Sequence, residues 1–137
     1  MSFRHLVTRF GLALLLAAFF LPSQAILPTN AQDQSATKLR HLVVIKFKST
    51  TTQRQINSVV DGLRGLKGKI PQVISIESGT NNSPEHLNKG LTHAFLITFS
   101  SEKDRDIYLA HPDHQKFKKL ALPLLSDVFV IDFFGKP

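Results

Sequence analysis

The chain has 137 residues, which is enough for one modest domain and too few for two domains of ordinary size. It contains no cysteine, so disulfide bonds, thiolate chemistry and a lipidated cysteine are excluded. The formal charge of +7 comes from basic residues spread along the sequence, whereas nucleic-acid binding needs a basic stripe interleaved with exposed aromatic residues. We therefore expect no nucleic-acid partner.

Residues 1–25 have the three regions of a secretory signal peptide, in order. A basic start without acidic residues precedes an apolar run over 11–21, which is shorter than the roughly twenty residues that a membrane-spanning helix needs. Small residues predict cleavage after Ala25, with Ala31 as the alternative position. A secreted or periplasmic protein without a membrane anchor after cleavage is expected. Residues 26–37 lack a hydrophobic period and are expected to form a flexible leader.

The remaining segment, residues 38–137, alternates between strand and helix patterns. The predicted elements are, in chain order, a strand over 41–47, a helix from Thr52 that frays at Gly65 and Gly68, strands over 73–79 and 91–99, a helix from Ser101 to His111, a helix from Pro112 to about Leu122, and a strand over 127–134. Thr52 and Gln55 form a capping box, and Pro112 suits a first helical turn. Both faces of the first strand are largely apolar, which is typical of a sheet covered on both sides.

This βαββαβ order predicts an α+β, ferredoxin-like sandwich with the second helical unit split in two. A four-stranded sheet with helices on one face leaves its other face open. That open face would carry Leu42, Val44, Ala94, Leu96 and part of the segment 128–133. Such a patch is large for a monomer, so we expect a homodimer that pairs through the open sheet face.

Several segments of this order resemble the Dabb family, the stress-responsive dimeric α/β-barrel domain. The segments that carry the resemblance are His41–Lys48, Gly68–Pro71, Gly79 with Ser83–Glu85, Asn88–Gly90, Thr92–Ala94, Tyr108–Phe117 and Asp127–Phe133. The resemblance covers about Leu39 to Phe134, and it implies a dimer whose two sheets face each other to form a barrel. Family members often have an aromatic residue where this chain has Leu91.

The candidate site residues are histidines and a tyrosine on otherwise apolar faces. If the helices cover that face of the sheet, His41 and His93 share an apolar layer with Tyr108 and His114, as a hydrogen-bonded network or as the lining of a pocket. We assign His41, His93 and His111 to ligand binding. The resemblance to the polyketide-cyclase branch implies that Tyr108 and His114 are an acid/base pair.

Two other observations limit the chemistry. Leu63 occupies the position of a tyrosine in the plant cyclases that the chain resembles, which puts their particular reaction in doubt. His111, Asp113 and His114 lie close in sequence, but neighbouring side chains on a helix diverge by about 100°, so no metal is expected. We expect no cofactor either.

These observations favour an exported, stress-responsive dimer that binds a small, largely apolar ligand. Two alternatives stay open. One is an acid/base enzyme that uses Tyr108 and His114 for cyclisation or isomerisation, and the other is a structural dimer whose histidines are core packing. Export favours binding over polyketide cyclisation, because polyketide chains are usually built inside the cell.

Overall fold

The computed structural model of the chain describes residues 38–135. The predicted signal peptide and leader, residues 1–37, lie outside the described residues. The described elements are β1 (Leu39–Phe47), α1 (Gln53–Arg64), a 3₁₀ turn (Gly65–Gly68), β2 (Ser75–Thr80), β3 (His93–Phe99), α2 (Glu102–Ala110), α3 (Pro112–Ala121), a 3₁₀ turn (Leu122–Leu124) and β4 (Leu125–Phe134). The predicted ferredoxin-like order with a split second helical unit is confirmed.

The four strands form one antiparallel sheet in the order β2-β3-β1-β4. In its register His41 lies opposite Ile97 on one side and Asp132 on the other. Residues directly opposite one another share a face of the sheet. The odd-numbered residues of β1 therefore face the helices together with Asp132, while the even-numbered residues face the open side.

The hydrophobic core lies between the helices and this odd-numbered face. Its buried members are Leu39, Ile45, Val59, Leu63, Leu66, Ile70, Val73, Phe95, Ile97, Phe99, Tyr108 and Ala121. Aliphatic side chains of α1 and aromatic side chains of β3 both belong to this layer. Burial of such side chains, at about 25 cal/mol per Å² of apolar surface, is the main stabilising contribution to a small domain without disulfides.

The other face of the sheet carries apolar side chains that nothing in residues 38–135 covers. Leu42 of β1 lies opposite Leu96 of β3 and Ile131 of β4, and Ile131 is 44% exposed. The whole apolar face consists of Leu42, Val44, Ala94, Leu96, Phe129, Ile131 and Phe133. The composition predicted for this open face is confirmed, and helices of the same chain cover β1 on one side only.

The helix boundaries follow the predicted signals more closely than the strand boundaries do. The capping box of Thr52 and Gln55 is present. α3 ends at Ala121, before Pro123, because a proline ring in the interior of the helix would have disrupted it. β2 begins two residues later than predicted, because a turn hydrogen bond joins the Val73 amide to the Ile70 carbonyl. β3 begins at His93, since the Leu91 amide bonds to Asn88 in a turn.

No helix within residues 38–135 combines the length and apolar character needed to cross a membrane.

Candidate functional site

The junction between α2 and α3 brings Tyr108 and His114 together. His111 has an extended backbone conformation (φ −60°, ψ 137°), as expected for the residue before a proline, and α3 begins at once with Pro112. The chain therefore changes direction between the two helices, and His114 returns towards the end of α2. The ring centroids of Tyr108 and His114 are 4.3 Å apart.

The end of α2 also fixes the tautomer of His114. The last carbonyls of a helix have no partner within the helix, and the Leu109 carbonyl accepts from His114 Nδ1 at 3.1 Å and from Gln115 Nε2 at 2.6 Å. A carbonyl oxygen can only accept, so Nδ1 carries the proton. In the neutral ring, Nε2 is then the nitrogen that can accept another proton.

His41 belongs to a second chain of polar contacts on the same side of the sheet. Its Nδ1 donates to Asp132 Oδ1 at 2.6 Å, and Arg105 of α2 donates to Asp132 Oδ2 at 2.9 Å. Both carboxylate oxygens are thus occupied, and the His41 ring is fixed with its Nδ1 towards β4. The ring centroids of His41 and Tyr108 are 6.1 Å apart, with the two rings nearly edge to face.

His41, Tyr108, His114 and Asp132 line a cavity of about 370 Å³ between the sheet and the helices. Its walls are mainly aliphatic and aromatic, and their apolar members include Val43, Ile45, Val59, Leu63, Phe95 and Phe117. Val128 and Val130 of the edge strand β4 extend the wall beyond the helix layer, which leaves them 44% and 48% exposed. A volume near the lower end of the range for ligand pockets suits a small molecule.

The apolar surroundings shift the protonation equilibria of the central pair in opposite directions. Burial lowers the pKa of the His114 imidazole below its ordinary value, the hydrogen bond to Leu109 partly opposes this, and the charges of Lys118 and His41 lower the pKa further. Burial raises the pKa of the Tyr108 hydroxyl above its ordinary value. Near pH 7 the site therefore holds a neutral imidazole and a protonated phenol.

The structure brings three of the five predicted site residues, His41, Tyr108 and His114, to this cavity. His93 lies at the far end of the same sheet face, opposite Ile45, where its ring meets Phe47 edge to face at 5.1 Å. His111 caps α3, since its Nδ1 accepts the Asp113 amide at 3.2 Å. Neither His93 nor His111 lines the cavity.

Sequence reasoning missed three charged residues of the site: Arg105, Lys118 and Asp132. Asp132 is an acidic residue in the apolar run of the last strand, on the face shared with His41, and that isolation was a usable signal. Lys118 follows His114 by four residues, so a helix places both on one side. Nothing in the sequence distinguishes Arg105 from the other charged residues of α2, because its role depends on the position of β4.

The described residues, 38–135, contain no group of three or more His, Asp or Glu side chains placed to hold a metal ion.

Comparison with known proteins places these features in one family. The stress responsive A/B barrel domain family matches residues 39–134. The stress-response A/B barrel domain-containing protein HS1 of Arabidopsis thaliana is 30% identical over 101 residues, which are 74% of this chain and 93% of that protein. Olivetolic acid cyclase of Cannabis sativa is 25% identical over 95 residues, 69% of this chain and 94% of the cyclase.

Solved structures have the same fold. Hydroxynitrile lyase from Passiflora edulis superposes with a TM-score of 0.68 at 27% identity, covering 72% of this chain and 93% of the lyase. A dimeric ferredoxin-like protein from Thermobifida fusca gives a TM-score of 0.63 at 23% identity, covering 73% of this chain and 92% of that protein. The family match extends over residues 39–134, nearly all of the described domain, and this chain therefore belongs to the stress responsive A/B barrel domain family.

Proposed function

We propose that the cavity binds a small, mainly apolar molecule with a carbonyl group, and that His114 and Tyr108 transfer a proton on it. One observation carries this proposal: the Leu109 carbonyl fixes the tautomer of His114, and the His114 ring lies on the wall of an apolar cavity with its centroid 4.3 Å from that of Tyr108. A neutral imidazole with its Nδ1 proton committed to the Leu109 carbonyl has one basic nitrogen to offer. That nitrogen can remove a proton from the carbon beside the bound carbonyl.

Tyr108 supplies the complementary group. When a proton leaves the carbon next to a carbonyl, negative charge develops on the carbonyl oxygen. The buried Tyr108 hydroxyl, whose pKa is raised by burial, stays protonated and can donate a hydrogen bond to that oxygen. An apolar cavity strengthens such a hydrogen bond because less water competes for it.

His41 is a positioning residue in this scheme. Its contact with Asp132, itself held by Arg105, fixes the ring in the wall beside Tyr108. A ring fixed in this way limits where the bound carbonyl can lie relative to the Tyr108 hydroxyl.

Two relatives support the choice of an enzyme, since one is named as a cyclase and the other as a lyase. Leu63 lines the cavity with an apolar side chain. The plant cyclases that the sequence resembles have a tyrosine at this position, so we propose proton transfer and not their cyclisation. The alternative, a ligand-binding protein without turnover, is favoured by the mainly apolar wall and by the predicted export.

Hydrogen exchange separates the two functions. With 2-tetralone in deuterated water, NMR should show protein-dependent loss of the protons beside the carbonyl, and His114→Gln should remove it. His93→Gln is the matched control, because it changes a histidine of the same sheet face outside the cavity. Binding of 2-tetralone without exchange would support the non-catalytic alternative. Equal exchange by the protein and His114→Gln would overturn the acid/base assignment.

We also propose that the protein is a homodimer joined through the open apolar face of the sheet. An uncovered face with three large side chains 44–48% exposed is unusual in a monomer, and the Thermobifida fusca structure of the same fold is described as dimeric. Native mass spectrometry tests this proposal. A monomer at all accessible concentrations would contradict it.

Export remains a proposal that rests on the amino-terminal sequence. Amino-terminal sequencing of the mature protein tests it, and a new terminus at Ile26 or Gln32 is expected. A mature protein that retains residues 1–25 inside the cell would contradict it.

A further inference from the structure

Lys118 is the one side chain on the cavity wall whose charge has no partner among residues 38–135. Asp132, the carboxylate on that wall, is already engaged by His41 and Arg105 through both of its oxygens. Asp113, the acidic residue of α3, has Lys116 as its cation partner, with the Lys116 Nζ 3.8 Å from Asp113 Oδ1. The wall therefore offers a cation that no carboxylate of the described residues neutralises.

The position of Lys118 differs from that of the other lysines on α3. Lys116 and Lys119 are exposed to solvent, whereas Lys118 is half-buried against the cavity. A lysine normally keeps its charged end in water and covers apolar surface with its stem. Lys118 has no carboxylate partner among the described residues, and its ammonium group is already partly removed from water. It can therefore bind an anionic group of a ligand with little further loss of its own hydration.

Lys118 lies one helical turn after His114, so the two side chains occupy the same side of α3. Residues at this spacing have Cβ atoms about 5–6 Å apart. The positive charge of Lys118 also contributes to lowering the pKa of His114, so its field reaches the imidazole. An anionic group held by Lys118 would thus lie within a few bonds of the carbon from which His114 removes a proton.

We propose that the ligand of this cavity is a small apolar carboxylic acid, bound as its anion with the carboxylate on Lys118. This inference rests on the proposed function of the cavity, and it narrows the ligand from apolar carbonyl compounds to those that carry an acid group. The apolar body of the ligand lies against the walls formed by α1 and β4. The carboxylate lies towards the end of the cavity that α3 lines.

Calorimetric titration with 2-naphthylacetate and its neutral analogue 2-naphthylacetamide tests the proposal. A hydrogen-bonded ion pair at a partly dry site should make the acid bind about tenfold more tightly than the amide. Lys118→Met keeps most of the apolar stem and should abolish that preference, whereas Lys118→Arg should keep it. Lys119→Met is the matched control on the same helix and should behave like the unchanged protein.

The outcomes separate this inference from the function on which it rests. Equal binding of the acid and the amide would overturn the role of Lys118 and leave the cavity as a binding site. An acid preference that persists in Lys118→Met would overturn it too, because another group would then hold the carboxylate. Failure of both probes and of 2-tetralone to bind would overturn the inference together with the proposed function.

Discussion

His41 and His93 lie on the same face of neighbouring strands, yet they have different surroundings. They are separated by four residue positions in the register, about 13 Å along a strand. The α2–α3 junction lies over His41 and adds Tyr108 and His114, whereas His93 meets Phe47 and bonds to the hydroxyl of Thr92 at 2.9 Å. The helix layer, rather than the strand pattern, therefore decides which histidine belongs to a site.

A similar contrast separates the two faces of β4. Val128 and Val130 form part of the cavity wall, while Phe129 and Ile131 belong to the apolar face on the opposite side of the sheet. One edge strand thus contributes to ligand binding through alternate residues and to the proposed subunit contact through the others. Changes on the two faces should accordingly have separable effects.

The largest effect is expected from Ile131→Lys on the apolar face. In a symmetric interface the change occurs twice, and two buried charges should weaken dimerisation at least about 100-fold. Ile107→Lys, at an exposed isoleucine of α2, is the matched control. Analytical ultracentrifugation measures the dissociation constant. Unchanged dimerisation of Ile131→Lys would show that the subunits pair through another surface.

His114→Gln should slow proton exchange of 2-tetralone by about 100-fold or more, because a positioned acid or base contributes on that order. Glutamine can still bond to the Leu109 carbonyl, so the fold should persist and binding should change little. His93→Gln should exchange at the unchanged rate. NMR exchange rates compare the three proteins. If both variants lose activity equally, the proposed contrast between the two histidines is wrong.

Asp132→Asn should have a smaller effect on the same reaction. The asparagine oxygen can still accept from His41, but without the negative charge that bond should weaken by about 1.4 kcal/mol, so exchange should fall roughly tenfold as His41 becomes less firmly oriented. Asp127→Asn, on the same strand and outside the cavity, is the control. Exchange at the full rate in Asp132→Asn would show that the His41 contact does not position the bound ligand.

The smallest effect concerns how the free energy of unfolding depends on pH. The pKa of His114 is lowered in the folded protein from an ordinary value of 6.5, so between those two pKa values the unfolded chain binds more protons. The free energy of unfolding should therefore fall as the pH drops below 6.5 and level off below the folded pKa. Urea unfolding over a pH series should show a shallower fall for His114→Gln. An equal slope for both proteins would contradict the burial of a neutral imidazole.

The sequence predicted the fold well, because its signals are local. Alternation in the strands, the Thr52 capping box and Pro112 at the start of a helix each act over a few residues. The site was harder to predict. Strand alternation placed His93 on the same sheet face as His41. Only the strand register and the position of the α2–α3 junction show that His41 lies in the cavity and His93 does not. Arg105 and Asp132 lie 27 positions apart in the chain and meet through tertiary structure alone.

The proposed site is tested by following the histidine side chains by ¹⁵N NMR while 2-tetralone is added to the labelled protein. We expect His114 to be neutral near pH 7 with the proton on Nδ1, and we expect the His114 and His41 signals to shift on binding. The signals of His93 and His111 should stay in place. A response of His93 without one of His114, or a His114 proton on Nε2, would contradict the proposed roles of the two histidines.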